Sequence, residues 1–579
     1  PKLIAQIAQG HYFVDFGKAA FGTLSLELES AEEEEISIHL GEVAEGPCAL
    51  SRNPGGSRRY RMLPLRLKQG RHRYVLEIPP DARNTTVSSA AGVAGAILMP
   101  GEMGEVMPFR YCEIENCSAP VVRANVRQRA VFHPFNDNAA SFASSSATLN
   151  SVWEMCKHSI KATTFCGVYV DGDRERIPYE ADAYINQLCH YCCDREYTMA
   201  RRTIEHLMAY PTWPTEWQLF MPLVAWYDYL YTGDISFAES SYPALKAKAL
   251  LPLAREDGLI STAGEGYPAG FLESLNAPAS FKLRDIVDWP KGERDDHDFQ
   301  PINTVVNAFH ARALACLSRL ALAMGRKDEA ESLATRAEMV KAAMMEKLFD
   351  RARGVFVDGE GSHHASLHAN AFALAFGICP AGAAPGIAAF LKGKGMACSV
   401  YAAQFLLDAL YKAGEAEAAL ALLSSTSERS WAHMIEAGST ISMEAWDNRF
   451  KPNQDWNHAW GAAPANLIPR RLMGVRPLLP GAGLIEIRPQ PGSLEYAELR
   501  LPLIRGQVLA RVNNAPGSAI NLEVELPGNM EASVILPASG WKEPVLIVDG
   551  KRACGCAEGR FVNAGRIGPG RHTFTLCRK

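Results

Sequence analysis

At 579 residues the chain is too long for one hydrophobic core, and roughly three to four folding units are expected at the usual domain size. Its formal charge of -5, with acidic and basic residues interspersed, lacks the basic footprint of a nucleic-acid or anionic-membrane binder and suits a neutral substrate. No stretch approaches ~20 uncharged apolar residues, so neither a spanning helix nor a membrane or nucleic-acid partner is expected.

Residues 1–142 read as strands. Leu24, Leu26 and Leu28 alternate with polar neighbours, as do Leu63, Leu65 and Leu67, the period of two that half-buried strands need. Gly55-Gly56, Gly70 and Pro79-Pro80 mark turns, and a strand-sized run from Tyr74 to Ile78 lies between such breakers. A β-sandwich is predicted here.

Over residues 143–475 the period becomes helical. Val306, Phe309, Ala313, Leu317, Leu320 and Met324 recur at intervals of three and four, and Gly325 stops the run. Leu333, Ala337, Val340, Met344 and Leu348 repeat the pattern, and similar runs occupy residues 145–163, 180–208, 217–231, 240–254, 366–377, 399–425 and 457–473. About ten to twelve helices, each burying one stripe against its neighbours, suit a closed toroid of paired helices, an (α/α)6 barrel. In residues 476–579 the period returns to two: Ile520, Leu522, Val524 and Leu526 alternate with Asn521, Glu523 and Glu525 before Pro527-Gly528. The prediction is a multidomain chain with a central (α/α)6 barrel between N-terminal and C-terminal β-sandwiches.

The densest charged cluster in an apolar region is Asp171, Asp173, Arg174, Glu175, Arg176, Glu180 and Asp182, interrupted by Gly172 and Pro178. Alone it reads as a solvated loop, but Tyr169, Val170, Ile177, Tyr179 and Tyr184 set its carboxylates against low-dielectric walls that raise an acid's pKa. A second island holds Glu444 in Thr440-Ile-Ser-Met-Glu-Ala-Trp-Asp447, followed by Asp455-Trp-Asn-His458. Two carboxylates distant in sequence can face each other across a toroid, one protonating a leaving oxygen while the other activates water or attacks a sugar. Tryptophans stand beside acids as Glu216-Trp217, Asp288-Trp289, Trp446-Asp447 and Asp455-Trp456, with flat faces able to cover a sugar. Each such ring taken singly is more often core.

The fourteen cysteines show no paired C-x-x-C ligand sets, and Cys189, Cys192 and Cys193 read as small residues buried in a helix, so no structural zinc is expected. Phosphate-loop, metal-spaced histidine and nucleophile-elbow motifs are missing, and no cofactor or metal is predicted.

At these residues the chain resembles glycoside hydrolase family 78, the bacterial α-L-rhamnosidases of six-hairpin type. Asp171-Gly-Asp-Arg-Glu175-Arg176, followed by Tyr179 and Asp182, resembles the family's acidic motif with its second Asp seven residues after the Glu. Ser439-Thr-Ile-Ser-Met-Glu444-Ala-Trp446-Asp447 and Asn457-His458-Ala-Trp-Gly461-Ala462 resemble its later motif. Glu105-Val-Met-Pro-Phe-Arg-Tyr111, Tyr231-Thr-Gly-Asp234, Gly474-Val-Arg-Pro477, Pro480-Gly481 and Ile487-Arg-Pro489 are further matches. The spacer between Asp171 and Glu175 is shorter than the common form, Pro178-Tyr179 replaces Gly-Trp, and Met443 replaces a Trp.

The resemblance implies inverting removal of terminal α-L-rhamnose from a rhamnose-containing carbohydrate, with Glu175 as general acid and Glu444 as general base. It implies hydroxyl binding by Asp171, Arg174, Asp182 and His458. Tyr179, at the family's Trp position, Trp217, Asp288, Trp289 and Trp446 are the further substrate-binding candidates, the rings being suited to a C6 methyl. A Glu175 flanked by an apolar wall or a second carboxylate, and a Glu444 kept ionised in a wetter setting, are expected. The alternatives are another (α/α)6-barrel sugar enzyme, namely a glycosidase of different specificity, a phosphorylase or a uronate lyase, and a sugar-binding protein without activity. A start at Pro1 without an apolar core is consistent with a removed leader. A bacterial cytoplasm or periplasm fits, with unpaired cysteines leaning to the former, and the sandwiches offer surfaces for a homodimer.

Overall fold

The computed structural model describes residues 1–86, 95–264, 266–538 and 541–579. Its first unit is an antiparallel seven-stranded sheet built around one long strand, His11–Ser30. The first half of that strand pairs with Leu3–Ala8; its pairing with Met107–Glu115 runs from Tyr12 to Gly22 across a register break between Asp15 and Ala20, and its second half pairs with Gly70–Val75 and Val126–Ala130. The break lets one strand hold different neighbours along its length. Leu24, Leu26 and Leu28 all point into its core, and so do Leu63 and Leu67, whereas Leu65 is only half-buried.

The helical unit closes as a ring. Glu180–Cys193 packs on Phe220–Thr232, that helix on Thr304–Ala323, and the chain of neighbours continues through Leu367–Phe376, Val400–Lys412 and Pro464–Leu467 back to Glu180–Cys193. Five of these are followed by an outer partner: Thr198–Ala209, Ser236–Ala247, Lys327–Lys347, Ala384–Lys394 and Ala416–Leu423. Inner helices are buried nearly all round, Glu180–Cys193 over its whole length, while Lys327–Lys347 buries only one stripe. Side-chain caps set the inner starts: Asn303, Ser366 and Ser399 each accept a backbone N–H of the following turn. The run predicted over 180–208 is two helices, because Asp194 to Tyr197 leave the helix and form the hairpin turn; the run over 399–425 divides likewise at Ala413 to Glu415.

The third unit stacks a seven-stranded sheet on a five-stranded one. Ile520, Leu522, Val524 and Leu526 of strand Ala519–Leu526 are all buried, as their alternation requires. Residues 141–144, which straddle the expected boundary at 142, form strand Ser141–Ser144 and pair with Tyr496–Leu503 at the edge of this C-terminal sheet. Two close approaches explain glycines in the motifs noted above. A Cβ at Gly474 would fall 2.0 Å from the Arg488 carbonyl oxygen, and one at Gly233 would fall 3.0 Å from the Gly481 Cα. Among the described residues, no helix is long and apolar enough to cross a membrane.

Candidate active site

The acidic segment forms a tight loop between helices Ala147–Ala162 and Glu180–Cys193. Asp171 closes it, its backbone N–H donating to the Ile177 carbonyl at 2.9 Å and its Oδ1 accepting from the Ile177 N–H at 2.9 Å. Gly172 has φ +123°, and a Cβ there would meet Asp455 Oδ2 at 2.9 Å, so only glycine lets the loop lie against the second island. Arg176 has φ 53°, uncommon for a residue with a Cβ, and is held there by burial and pairing.

That pairing comes largely from the N-terminal sandwich. The Arg176 guanidinium donates to Asp173 Oδ1 at 2.9 Å, to Glu105 Oε1 at 2.6 Å and to the Val106 carbonyl at 2.8 Å. Arg59 Nε lies 2.9 Å from Asp173 Oδ2, and Asn84 Nδ2 donates to the Asp173 carbonyl at 2.7 Å. Glu42 accepts from Asn457 Nδ2 at 2.9 Å while Asn457 Oδ1 accepts from the Asp173 N–H at 2.8 Å. Both islands are thereby clamped to the first domain.

The second island is a hairpin-like loop whose arms exchange backbone bonds. Glu444 N–H donates to the Asp455 carbonyl at 3.0 Å, and His458 N–H donates to the Ser442 carbonyl at 2.9 Å. Trp460 Nε1 donates to the Glu444 carbonyl at 3.0 Å. The Glu444 side chain, 3% exposed, faces Arg174, which donates from Nη1 and Nη2 at 2.9 and 3.1 Å. It also receives Lys451 Nζ at 3.2 Å and the Asp455 N–H at 3.1 Å. Burial alone would push Glu444 up, but His458, Arg174 and Lys451 together hold it below the ordinary carboxylate value. The expected wet setting is thus corrected: cations, not water, keep Glu444 ionised in this protein.

Arg174 reaches both islands, since its Nε also lies 3.3 Å from Glu175 Oε1. Glu175 is the more open of the two glutamates, its side chain 35% exposed. Tyr179 donates its hydroxyl to Glu175 Oε2 at 3.0 Å; burial, then the charges of Glu175 and Asp171, hold that phenol well above its usual value, so it stays a donor. The Tyr179 ring meets Trp217 edge-on at 5.5 Å. Burial and the nearby carboxylates of Glu175 and Asp455 push Asp171 well above the usual range. Asp182 Oδ1 shares a 2.8 Å hydrogen bond with His458 Nε2, and burial raises Asp182 although His458 opposes the rise. Asp455 is raised by burial and by Glu444. Glu444, Asp455 and His458 bring three donor atoms within 4.8 Å of one another, though Arg174 and Lys451 already balance Glu444.

Asp171, Arg174, Glu175, Tyr179, Asp182, Trp217, Glu444 and His458 therefore come together. Asp288 and Trp446 do not join them. Asp288 is fully buried and saturated: it pairs with His368 Nε2 at 2.7 Å and accepts the Ser399 N–H at 2.9 Å, the Ser399 hydroxyl, and the Trp289 N–H at 2.8 Å. Its work is to fix the loop that carries the half-buried Trp289. Trp446 is fully buried, its Nε1 donating to the Cys398 carbonyl at 2.7 Å and its ring set edge-on to Trp431, so no sugar can reach it. Lys451, Glu42, Arg59 and Asn84 were not expected here. Lys451 lies four residues before Asp455, a legible signal; the other three are contacts between domains, and only Glu105 stood in a motif already noted.

Glu42 yields one expectation. Burial raises its carboxyl from 4.5 to about 7, so the folded state favours the protonated form. Its contribution to stability is complete below pH 4.5 and is lost as pH rises through about 7. Urea titrations across that window should show wild type losing stability relative to Glu42→Gln; parallel curves would refute the assignment.

The bacterial α-L-rhamnosidase six-hairpin glycosidase domain matches residues 137–472, the concanavalin-like domain of the same proteins matches 5–132, and their C-terminal domain matches 474–545. An α-L-rhamnosidase of Alteromonas sp. (strain LOR) is 25% identical over 340 residues, 55% of this chain and 34% of that protein. An α-L-rhamnosidase structure from Dictyoglumus thermophilum superposes with a TM-score of 0.76 at 17% identity, covering 100% of this chain and 63% of that one. The Streptomyces avermitilis α-L-rhamnosidase complexed with L-rhamnose gives 0.73 at 17% identity, covering 99% and 52%. The chain thus spans between about a third and two thirds of the length of these relatives. With its six-hairpin model matched across more than half the sequence, this chain belongs to the bacterial α-L-rhamnosidase family.

Proposed function

We propose that the chain is an inverting glycoside hydrolase that releases terminal α-L-rhamnose from rhamnose-containing carbohydrates. The observation that carries this reading is the inequality of the two glutamates: Glu175 is open and hydrogen-bonded by a phenol, while Glu444 is buried and ionised by cations, with one guanidinium between them. Two carboxyl groups in unlike environments suit an acid and a base. Glu175 delivers its proton to the departing oxygen, and Glu444 takes one from water attacking C1 on the opposite face. In this reading Asp171, Asp182 with His458, and Arg174 hold ring hydroxyls, while Trp217 and Trp289 supply apolar surface.

An ionised carboxylate accepts at about four lone-pair positions, and hydrogen bonds from Arg174 and the Asp455 N–H use three on Glu444 while Lys451 Nζ stands 3.2 Å from Oε1. In the productive complex Arg174 therefore shifts from Glu444 to a sugar hydroxyl, and the freed lone pairs receive the water. The same occupancy favours, as a second reading, a protein that binds the sugar without cleaving it. Following an aryl α-L-rhamnoside by proton NMR separates the readings. Initial release of β-L-rhamnose is expected; α-L-rhamnose would refute inversion, and binding without release would leave the second reading standing.

A further inference from the structure

On the N-terminal sheet, three neighbouring strands bring together a cluster of histidines and carboxylates. Strand Glu34–Gly41 sets His39 directly opposite Glu113 of strand Met107–Glu115, and Tyr12 sets His11 one step beyond its pairing with Ile114. The period of two puts Glu113 and Glu115 on one face. His11 Nε2 lies 3.1 Å from Glu113 Oε2 and 3.7 Å from Glu115 Oε1, and His39 Nε2 lies 3.4 Å from Glu115 Oε2. Zinc bonds of ~2.0–2.2 Å place neighbouring donors of a tetrahedron ~3.3–3.4 Å apart, which these separations bracket.

A second observation points the same way. The His39 side chain is only 10% exposed, yet its Nε2 makes no hydrogen bond, while Nδ1 is fixed by the Tyr60 hydroxyl at 2.8 Å. An imidazole held at one nitrogen and aimed with the other at a carboxylate is the arrangement of a metal ligand with its outer support. Arg52 is the competing cation, its Nη2 2.6 Å from both Glu113 Oε2 and Glu115 Oε1; its side chain is 37% exposed, so it can swing outward. We propose that His11, Glu113 and Glu115, whose donor atoms lie within 4.8 Å of one another, form the core of a Zn2+ site that His39 completes from beside Glu115 and for which Arg52 competes. Two imidazoles and two carboxylates favour zinc over calcium or magnesium, which prefer all-oxygen sets.

Calorimetric titration of the full tag-free chain with ZnCl2, after stripping by chelator, tests the site. One equivalent should bind in wild type and be lost in the His11→Ala/His39→Ala double variant. Arg52→Ala should bind zinc more tightly, and Tyr60→Phe about 10–100-fold more weakly. Replacing zinc with Co2+ should give the visible absorption of a tetrahedral centre. No saturable binding, or equal binding in the double variant, as a metal at Glu444, Asp455 and His458 would give, overturns the proposal. Should the double variant fail to fold, Arg52→Ala decides: an unchanged or weaker affinity overturns it.

Discussion

Glu175→Gln is expected to slow cleavage of rhamnosides with poor leaving groups by about 10²–10⁴-fold, the usual worth of a positioned general acid, while an aryl rhamnoside with a good leaving group loses far less. The glutamine keeps the size of the side chain and its contact with the Tyr179 hydroxyl, so the loss isolates the proton. Glu444→Gln should behave differently, slowing both substrates alike, because water must be deprotonated whatever leaves. It also weakens the ion pair that holds Arg174 on residue 444, so the loss should fall on kcat while substrate binding is kept or tightened. Steady-state kinetics on a matched pair of substrates read both effects. Full activity of Glu175→Gln on a natural rhamnoside would overturn the assignment, and a leaving-group dependence for Glu444→Gln would exchange the two roles.

The largest loss of stability is expected from Arg176→Ala. Arg176 is wholly buried, and its guanidinium is shared by Asp173, Glu105 and the Val106 carbonyl, with Phe165 beneath it at 5.3 Å. Removing one partner of a buried ion pair typically costs about 3–5 kcal/mol because the carboxylates stay buried without their cation. Several domains need not unfold together, so the readout is the apparent melting temperature rather than one free energy. A marked drop is expected, with loss of the proposed cleavage activity even below it, since the loop carrying Glu175 would lose its hold on the first domain. A melting temperature unchanged from wild type would show that Arg59 alone suffices for Asp173.

The elements were legible where one periodicity ran uninterrupted. Thr304–Ala323 and Lys327–Lys347 appear in the spacing of their apolar residues and in Gly325 between them, because a helix that buries one stripe writes that stripe into the sequence. The acid-bearing loop was legible through charge among aromatics, and Glu444 through its motif. Trp446 shows the limit. A tryptophan beside an acid carries no sign of which way the ring turns, and here it turns into Trp431. The clamp of Glu42, Arg59 and Asn84 was hidden for a related reason: it joins segments that become neighbours only once the N-terminal domain has packed on the barrel.

The strand Ser141–Ser144 gives the molecule an assembly order. It emerges before the barrel helices, yet its partner Tyr496–Leu503 emerges after them, so during synthesis its edge waits unpaired while the toroid forms. Such long-range pairing is slow, and an open strand edge invites pairing with other chains. A truncated product that stops at the end of the barrel would therefore be an aggregation-prone species, not a smaller working unit, and the last domain acts as the seal that completes the one before it.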